Sequence, residues 1–332
     1  MNIKGISFYL GLFCFPIAFL AFVNILYSSY FDYFLSVDSY SITLVVSIII
    51  GIFFYFYGSK SNKKINFYEQ IVTIILVYFL SAFLISIPYY LSNYQIPFVN
   101  SLFEAFSGIT GTGFSIFGNI KFLDPTLILW RSSSQWLGGL YFLIFLIQFF
   151  SNSQFNYKLN NLVDTSQKNK NSELKINSIS VKILITYLSL SFLIFFLLSL
   201  SGVRLLNSLN LTMTLISNGG FLPTNNLSQI INTRAQEFIL IISFLLSLLN
   251  IYLIFNIFNN KNNFKNQYKD FYLFVIFLLF TFFLLTFVNN VNLSESLINV
   301  LSSLTNSGIS IYQYNSNLSL FFLFITLIGG SI

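Results

Sequence analysis

Long apolar runs separated by short polar loops make up most of the chain. Seven runs approach the roughly 20 residues that a helix needs to cross the hydrocarbon core of a bilayer. They cover residues 6–27, 41–57, 71–91, 127–150, 179–200, 238–255 and 271–288, and an eighth begins near Leu318. Three shorter apolar stretches lie among them, at residues 99–109, 205–216 and 293–304. As helices each would be about 17 Å long, too short to span. Each runs into small and polar residues: Ser107-Gly108-Ile109-Thr110-Gly111-Thr112-Gly113-Phe114, then Ile216-Ser217-Asn218-Gly219-Gly220-Phe221, then Leu304-Thr305-Asn306-Ser307-Gly308-Ile309. The pattern predicts an all-α polytopic membrane protein. In it, the order long helix, short helix, glycine turn, long helix recurs three times.

Cations orient these spans. The loop after the first run carries Asp32 and Asp38 and no Lys or Arg. The loop after the second holds Lys60, Lys63 and Lys64; the stretch 151–178 holds Lys158, Lys168, Lys170 and Lys175; a later loop holds Lys261, Lys265 and Lys269. Cytoplasmic loops are the ones enriched in Lys and Arg. That rule places the N-terminus inside the cell and all three glycine turns on the outer side of the cytoplasmic membrane. Residues 151–178, rich in Asn, Ser and Lys, read as a solvated cytoplasmic linker. The expected organisation is two N-terminal helices (1–66), a first repeat (67–150), the linker (151–178), a second repeat (179–257) and a third (258–332).

Composition narrows the function classes. Of 332 residues, 55% are hydrophobic and 8% charged, against about 25% charged in soluble domains. The net charge of +6 does not point to nucleic acid, because the lysines sit in loops between apolar runs. With no His and a single cysteine, Cys14, intrachain disulfides, cysteine-metal frameworks and His chemistry are excluded. A polytopic membrane enzyme is the alternative of another class. Its usual mark, a cluster of acids, His or Arg at one membrane face, is absent, and the ten acids are scattered.

The turns suggest ion conduction. Irregular backbone at membrane depth is tolerated only when protein covers it or when it lines a wet cavity. Glycine permits backbone angles that aim carbonyls inward, and such carbonyls can replace the hydration shell of a bare cation. The C-terminal end of each short helix adds partial negative charge. No carboxylate lies in the turns, which favours a monovalent cation held by dipoles.

The block Phe103-Glu104-Ala105-Phe106-Ser107-Gly108-Ile109-Thr110-Gly111-Thr112-Gly113 is followed by Leu129-Trp130-Arg131 and Gln135-Trp136-Leu137-Gly138-Gly139. With the two later turns in order, it resembles the membrane-spanning subunit of Trk/Ktr-type bacterial potassium uptake systems, nearer TrkH than KtrB because two helices precede the first repeat. The resemblance implies helix–pore loop–helix units around a central pore, voltage-gated-channel-like, with K+ as the transported ion and no organic cofactor. It leaves coupling to Na+ or H+ open. It implies filter positions at Thr110, Gly111, Thr112 and Gly113, at Ser217, Asn218, Gly219 and Gly220, and at Thr305, Asn306, Ser307 and Gly308. Gly113, Gly220 and Gly308 fall on the signature glycine of each repeat. Gly329, Gly330 and Ser331 resemble the opening of a gating loop. A homodimer on a cytosolic ring of nucleotide-binding regulatory subunits (TrkA/KtrA-like) is also implied.

The family has four repeats, and three are recognisable here, the third incomplete. The expectation is a chain truncated before the fourth filter segment, either non-conducting alone or completed by another polypeptide. Among single residues, Glu104 reads as favourable near a helix N-terminus, with Glu295 repeating it at the third short helix. Arg131 and Gln135, one helical turn apart, read as bracing for the first pore loop. Gly138-Gly139 reads as a close-packing site, Trp130, Trp136 and Tyr141 as interfacial or packing aromatics, Asp124-Pro125 as a helix start, and Arg234 with Glu237 as an exposed ion pair.

Overall fold

A computed structural model describes residues 1–60, 65–150, 172–248, 293–310, 322–323 and 325–327, all helix, turn or irregular chain without strand. Two compact units divide it, Met1–Phe145 and Leu146–Ile332.

The first unit holds helices α1 (Ile3–Tyr30), α2 (Phe34–Ser59), α3 (Phe67–Tyr90), the short α4 (Phe98–Thr110) and most of α5 (Pro125–Phe150). α1 and α2 form a hairpin whose backbones meet at glycines. A Cβ on Gly11 would lie 2.5 Å from the Tyr55 nitrogen, and one on Gly58 would lie 2.4 Å from the Lys4 carbonyl oxygen. Small residues allow such approach where dispersion, not the hydrophobic effect, drives helix association. α3 is entered through Glu69, whose Oε2 accepts from the Asn66 N–H at 2.8 Å and whose Oε1 accepts from the Asn2 N–H. This joins the N-terminus to the start of α3. α5 begins as its sequence predicts. Pro125 is its first residue, and the Asp124 carbonyl accepts the N–H groups of Leu127 and Ile128.

The aromatics of α5 are interior. Trp130 and Tyr141 are buried; the indole N–H of Trp130 donates to the Ile85 carbonyl at 3.0 Å, and the Tyr141 hydroxyl donates to the Phe13 carbonyl. Trp136 is half-buried. Trp130 and Tyr141 are therefore packing residues with their polar ends satisfied.

The second unit holds α6 (Ser172–Leu200), the short α7 (Leu205–Ser217), α8 (Arg234–Leu248) and the short α9 (Leu293–Leu304). α6 packs on α7 and α8, and α8 packs on α7 and α9. Ile183, Tyr187, Ile194 and Leu198 of α6 are buried, one stripe at helical spacing. α6 starts seven residues before the predicted apolar span. Backbone hydrogen bonding carries the helix into residues read as linker, because helix ends need not coincide with the ends of apolar runs. α8 is capped by Gln236, whose Oε1 accepts from the N–H groups of Asn232 and Thr233. Arg234 is exposed, and among the described residues it forms no ion pair with Glu237. The cap is built from Gln236 and Thr233, not from a charge pair.

Four described helices are long and apolar enough to cross a membrane: Ile3–Tyr30, Val37–Ser59, Phe67–Tyr90 and Ser180–Leu200. They expose large side chains such as Phe19, Phe53 and Phe192, a surface suited to lipid rather than water. The run 271–288, the end of the run 238–255 from residue 249, the run near Leu318 except residues 322–323 and 325–327, and Gly329, Gly330 and Ser331 lie outside the described residues.

Candidate functional site

Three glycine turns follow three short helices with one geometry. α4, α7 and α9 start at Phe98, Leu205 and Leu293, and in each case a left-handed residue stands thirteen positions later: Gly111 (φ 69°), Asn218 (φ 55°) and Asn306 (φ 57°). Two positions on, a glycine is again left-handed: Gly113 (φ 76°), Gly220 (φ 80°) and Gly308 (φ 65°). Glycine and asparagine occupy the first of these sites because they tolerate this region at little steric expense.

The backbone bonds repeat as well. The N–H groups of Gly111, Asn218 and Asn306 donate to the carbonyls of Gly108, Leu215 and Ser303. Those of Thr112, Gly219 and Ser307 donate to Ser107, Thr214 and Ser302 at 3.0 to 3.1 Å. Each helix end thus satisfies its last carbonyls by a Schellman-type closure. The chain then leaves through the second positive-φ residue. The predicted filter positions are in register: Thr110 and Ser217 are the last residues of α4 and α7, Thr305 is the residue just after α9, and the three residues after each form the bend. In the first turn no hydrogen bond among the described residues takes the carbonyl oxygens of Thr110, Gly111, Thr112 or Gly113. The Thr110 and Thr112 hydroxyls lie 3.0 Å apart and exposed.

The segment after the first turn is tied to an ion pair. Glu104 and Arg131 are 0% and 1% exposed, with Arg131 Nε 2.8 Å from Glu104 Oε1. Glu104 Oε1 accepts from the Ser115 hydroxyl at 3.0 Å, and Oε2 accepts from the Ile116 N–H at 2.9 Å. Arg131 Nη2 donates to the Ser115 hydroxyl at 2.9 Å, and the guanidinium sits 5.4 Å from the centre of the Phe117 ring. Glu104 is the seventh residue of α4, so its partner is Arg131 and not the helix N-terminus. By register its counterparts are Leu211 and Asn299; Glu295, in the first turn of α9, holds a different place. Gln135 is buried on α5.

Gly138 sets the height of the first turn. A Cβ there would lie 2.0 Å from the Ile109 carbonyl oxygen. α5 therefore rests backbone to backbone on the end of α4, one residue before Thr110.

Apolar periodicity does not reveal one position that the three turns share. Ser107, Thr214 and Ser302 stand four residues before the left-handed site, all buried. Aligning the turns exposes it: Ser107-x-x-Thr110-Gly111-x-Gly113, Thr214-x-x-Ser217-Asn218-x-Gly220 and Ser302-x-x-Thr305-Asn306-x-Gly308 share a small hydroxyl residue, a second one three on, and the two left-handed positions.

These turns, on short helices between apolar spans, define a polytopic membrane protein of helix–pore loop–helix repeats. Residues 38–267 match the family model described as "TrkH: Cation transport protein", and the chain belongs to that family. It is a family of membrane transporters, not enzymes. Relatives include the protein named uncharacterized cation transporter MJ1485 of Methanocaldococcus jannaschii, 29% identical over 189 residues, a match covering 55% of this chain and 39% of the relative. The Trk system potassium uptake protein TrkG of Escherichia coli is 27% identical over 100 residues, covering 30% of this chain and 21% of TrkG. The crystal structure of the potassium transporter TrkH from Vibrio parahaemolyticus superposes with a TM-score of 0.80 at 18% identity, covering 98% of this chain and 70% of that one. The match thus takes in about two fifths of the length of MJ1485 and about a fifth of TrkG.

Proposed function

We propose that this chain carries potassium into the cell through a filter of backbone carbonyls contributed by residues 110–113, 217–220 and 305–308. The observation that carries this reading is the repetition of one turn in a single register, with the carbonyls of residues 110–113 left unbonded among the described residues. An unbonded carbonyl at membrane depth costs several kcal/mol. A dehydrated cation is a partner that removes that cost. The lack of a carboxylate in the turns fits K+ better than a divalent ion. The relatives named as Trk potassium uptake proteins support the same ion.

In this reading the chain lies in the cytoplasmic membrane with its N-terminus inside, the lysine-bearing loops 60–64 and 151–171 cytoplasmic, and the turns outward. Two copies pair, and a cytosolic nucleotide-binding subunit gates them from the lysine-rich side. Uptake is passive or coupled to Na+ or H+. Residues 67–150, 179–257 and 258–332 are the repeats, with Gly329, Gly330 and Ser331 at a gating loop.

Reconstituted vesicles test it, with Rb+ standing in for K+. Rb+ should enter well ahead of Na+, and Gly113→Ser should erode that preference. Equal entry of both ions, unchanged by Gly113→Ser, would overturn the assignment.

A further inference from the structure

The three turns share their backbone bonds but are fastened by different side chains. In the first, the Glu104 carboxylate reaches past the bend and takes the Ser115 hydroxyl and the Ile116 N–H. In the third, hydroxyls close the turn from within: Ser302 Oγ lies 3.1 Å from Ser307 Oγ, and the Thr305 hydroxyl donates to Ser307 Oγ at 3.0 Å. The second has Leu211 where the first has Glu104, and leucine accepts no hydrogen bond. There the Thr214 hydroxyl donates to the Phe221 carbonyl at 2.5 Å, a buried bond between residues seven apart. Thr214 and Phe221 are 0% and 2% exposed.

We infer that Thr214 is the positioning residue of the second filter segment, doing through a neutral hydroxyl what Glu104 does through a charge; this rests on the filter reading above. The geometry has two consequences. The bond turns the Phe221 carbonyl toward α7, so the row of oxygens offered to an ion ends at Gly220. It also pins the residue after Gly220, whose positive φ would otherwise be a soft pivot. The backbone closure from Gly219 to Thr214 fixes the near side of the bend, and the hydroxyl fixes the far side. Most Ser and Thr hydroxyls of these helices bond back three or four residues, as Ser217 does to Met213. Thr214 instead reaches forward across the whole turn.

Thr214→Val keeps the shape and removes the donor; Thr214→Ser keeps the donor. Rb+ and Na+ entry are compared in vesicles with both variants, with Gly220→Ser as the reference for a damaged filter. A hydrogen bond's net worth implies a roughly two- to tenfold fall in the Rb+ over Na+ ratio for Thr214→Val, with Thr214→Ser near the parent value. If Thr214→Val does not fold, Thr214→Cys, with a weakly donating thiol, should show the same fall. An unchanged ratio in Thr214→Val or Thr214→Cys, where Gly220→Ser lowers it, overturns the role of Thr214 and leaves the filter standing. A ratio that Gly220→Ser also leaves unchanged overturns the filter reading itself, and this inference with it.

Discussion

At the residue scale, the Glu104–Arg131 pair is the most exacting feature of the first unit. Both charges are out of solvent, and a carboxylate there is tolerable because three donors meet it. Removing one partner leaves the other charge uncompensated. Arg131→Met should destabilise the protein by about 3–5 kcal/mol, read as a large drop in thermal midpoint in detergent. Replacing both, as Glu104→Gln with Arg131→Met, should recover part of that loss, since the uncompensated charge is then gone. A double variant no more stable than Arg131→Met would show that the charge was not the cause. The sequence marks these residues but not their relation. Twenty-seven positions separate them, and no helical period predicts which side chains meet across two helices. The helix dipole is a reasonable default for a carboxylate near a helix start, and burial of Glu104 against α5 decides otherwise.

At the element scale, two glycines separate two physical effects. Gly138 has an ordinary φ but no room, since an added methyl would sit 2.0 Å from the Ile109 carbonyl oxygen. Gly308 has open space but a φ of 65°. Gly138→Ala must push α5 away from α4 and should cost about 1–3 kcal/mol by overpacking, while also shifting the Thr110 end of the turn. Gly308→Ala meets only the left-handed penalty, about 1–2 kcal/mol. A thermal shift series on the two variants checks the ranking. The atoms that oppose a methyl at Gly138 are the Ile109 main chain, so trimming neighbouring side chains should not relieve Gly138→Ala. Asn218→Gly should be near neutral, because either residue accepts the left-handed site; a loss above about 1 kcal/mol would mean that the Asn218 side chain contributes more than its tolerance of that backbone. The short helices are legible in the sequence, since their length and the small residues at their ends are local. The extension of α6 and the Gln236 cap of α8 are not, because both depend on backbone and side-chain bonding that apolarity does not record.

At the scale of the whole molecule, family membership and the fold agree on a transporter embedded in lipid. The lysine distribution then carries a direct prediction about sidedness. Gly118 is exposed in the loop after the first turn with open space beside it, and Lys60 directly follows α2. In intact cells an impermeant thiol reagent should label Gly118→Cys from outside, and Lys60→Cys only after the membrane is opened. Cys14 is buried and should remain silent in both. Labelling of Lys60→Cys in sealed cells would reverse the orientation.

The order of amino acids by itself determined the class of protein, the presence and order of the described long and short helices, and the places where the chain bends back. These follow from the period and extent of apolar runs and from residues that tolerate positive φ, both properties of neighbours along the chain. Only the tertiary structure decided which groups hold those bends: Arg131 for Glu104, the Phe221 carbonyl for Thr214, and the bare backbone of Gly138 for Ile109. The first and last of these are chosen by how α4 and α5 pack, and the second by the path the chain takes through its own turn; apolar periodicity records neither.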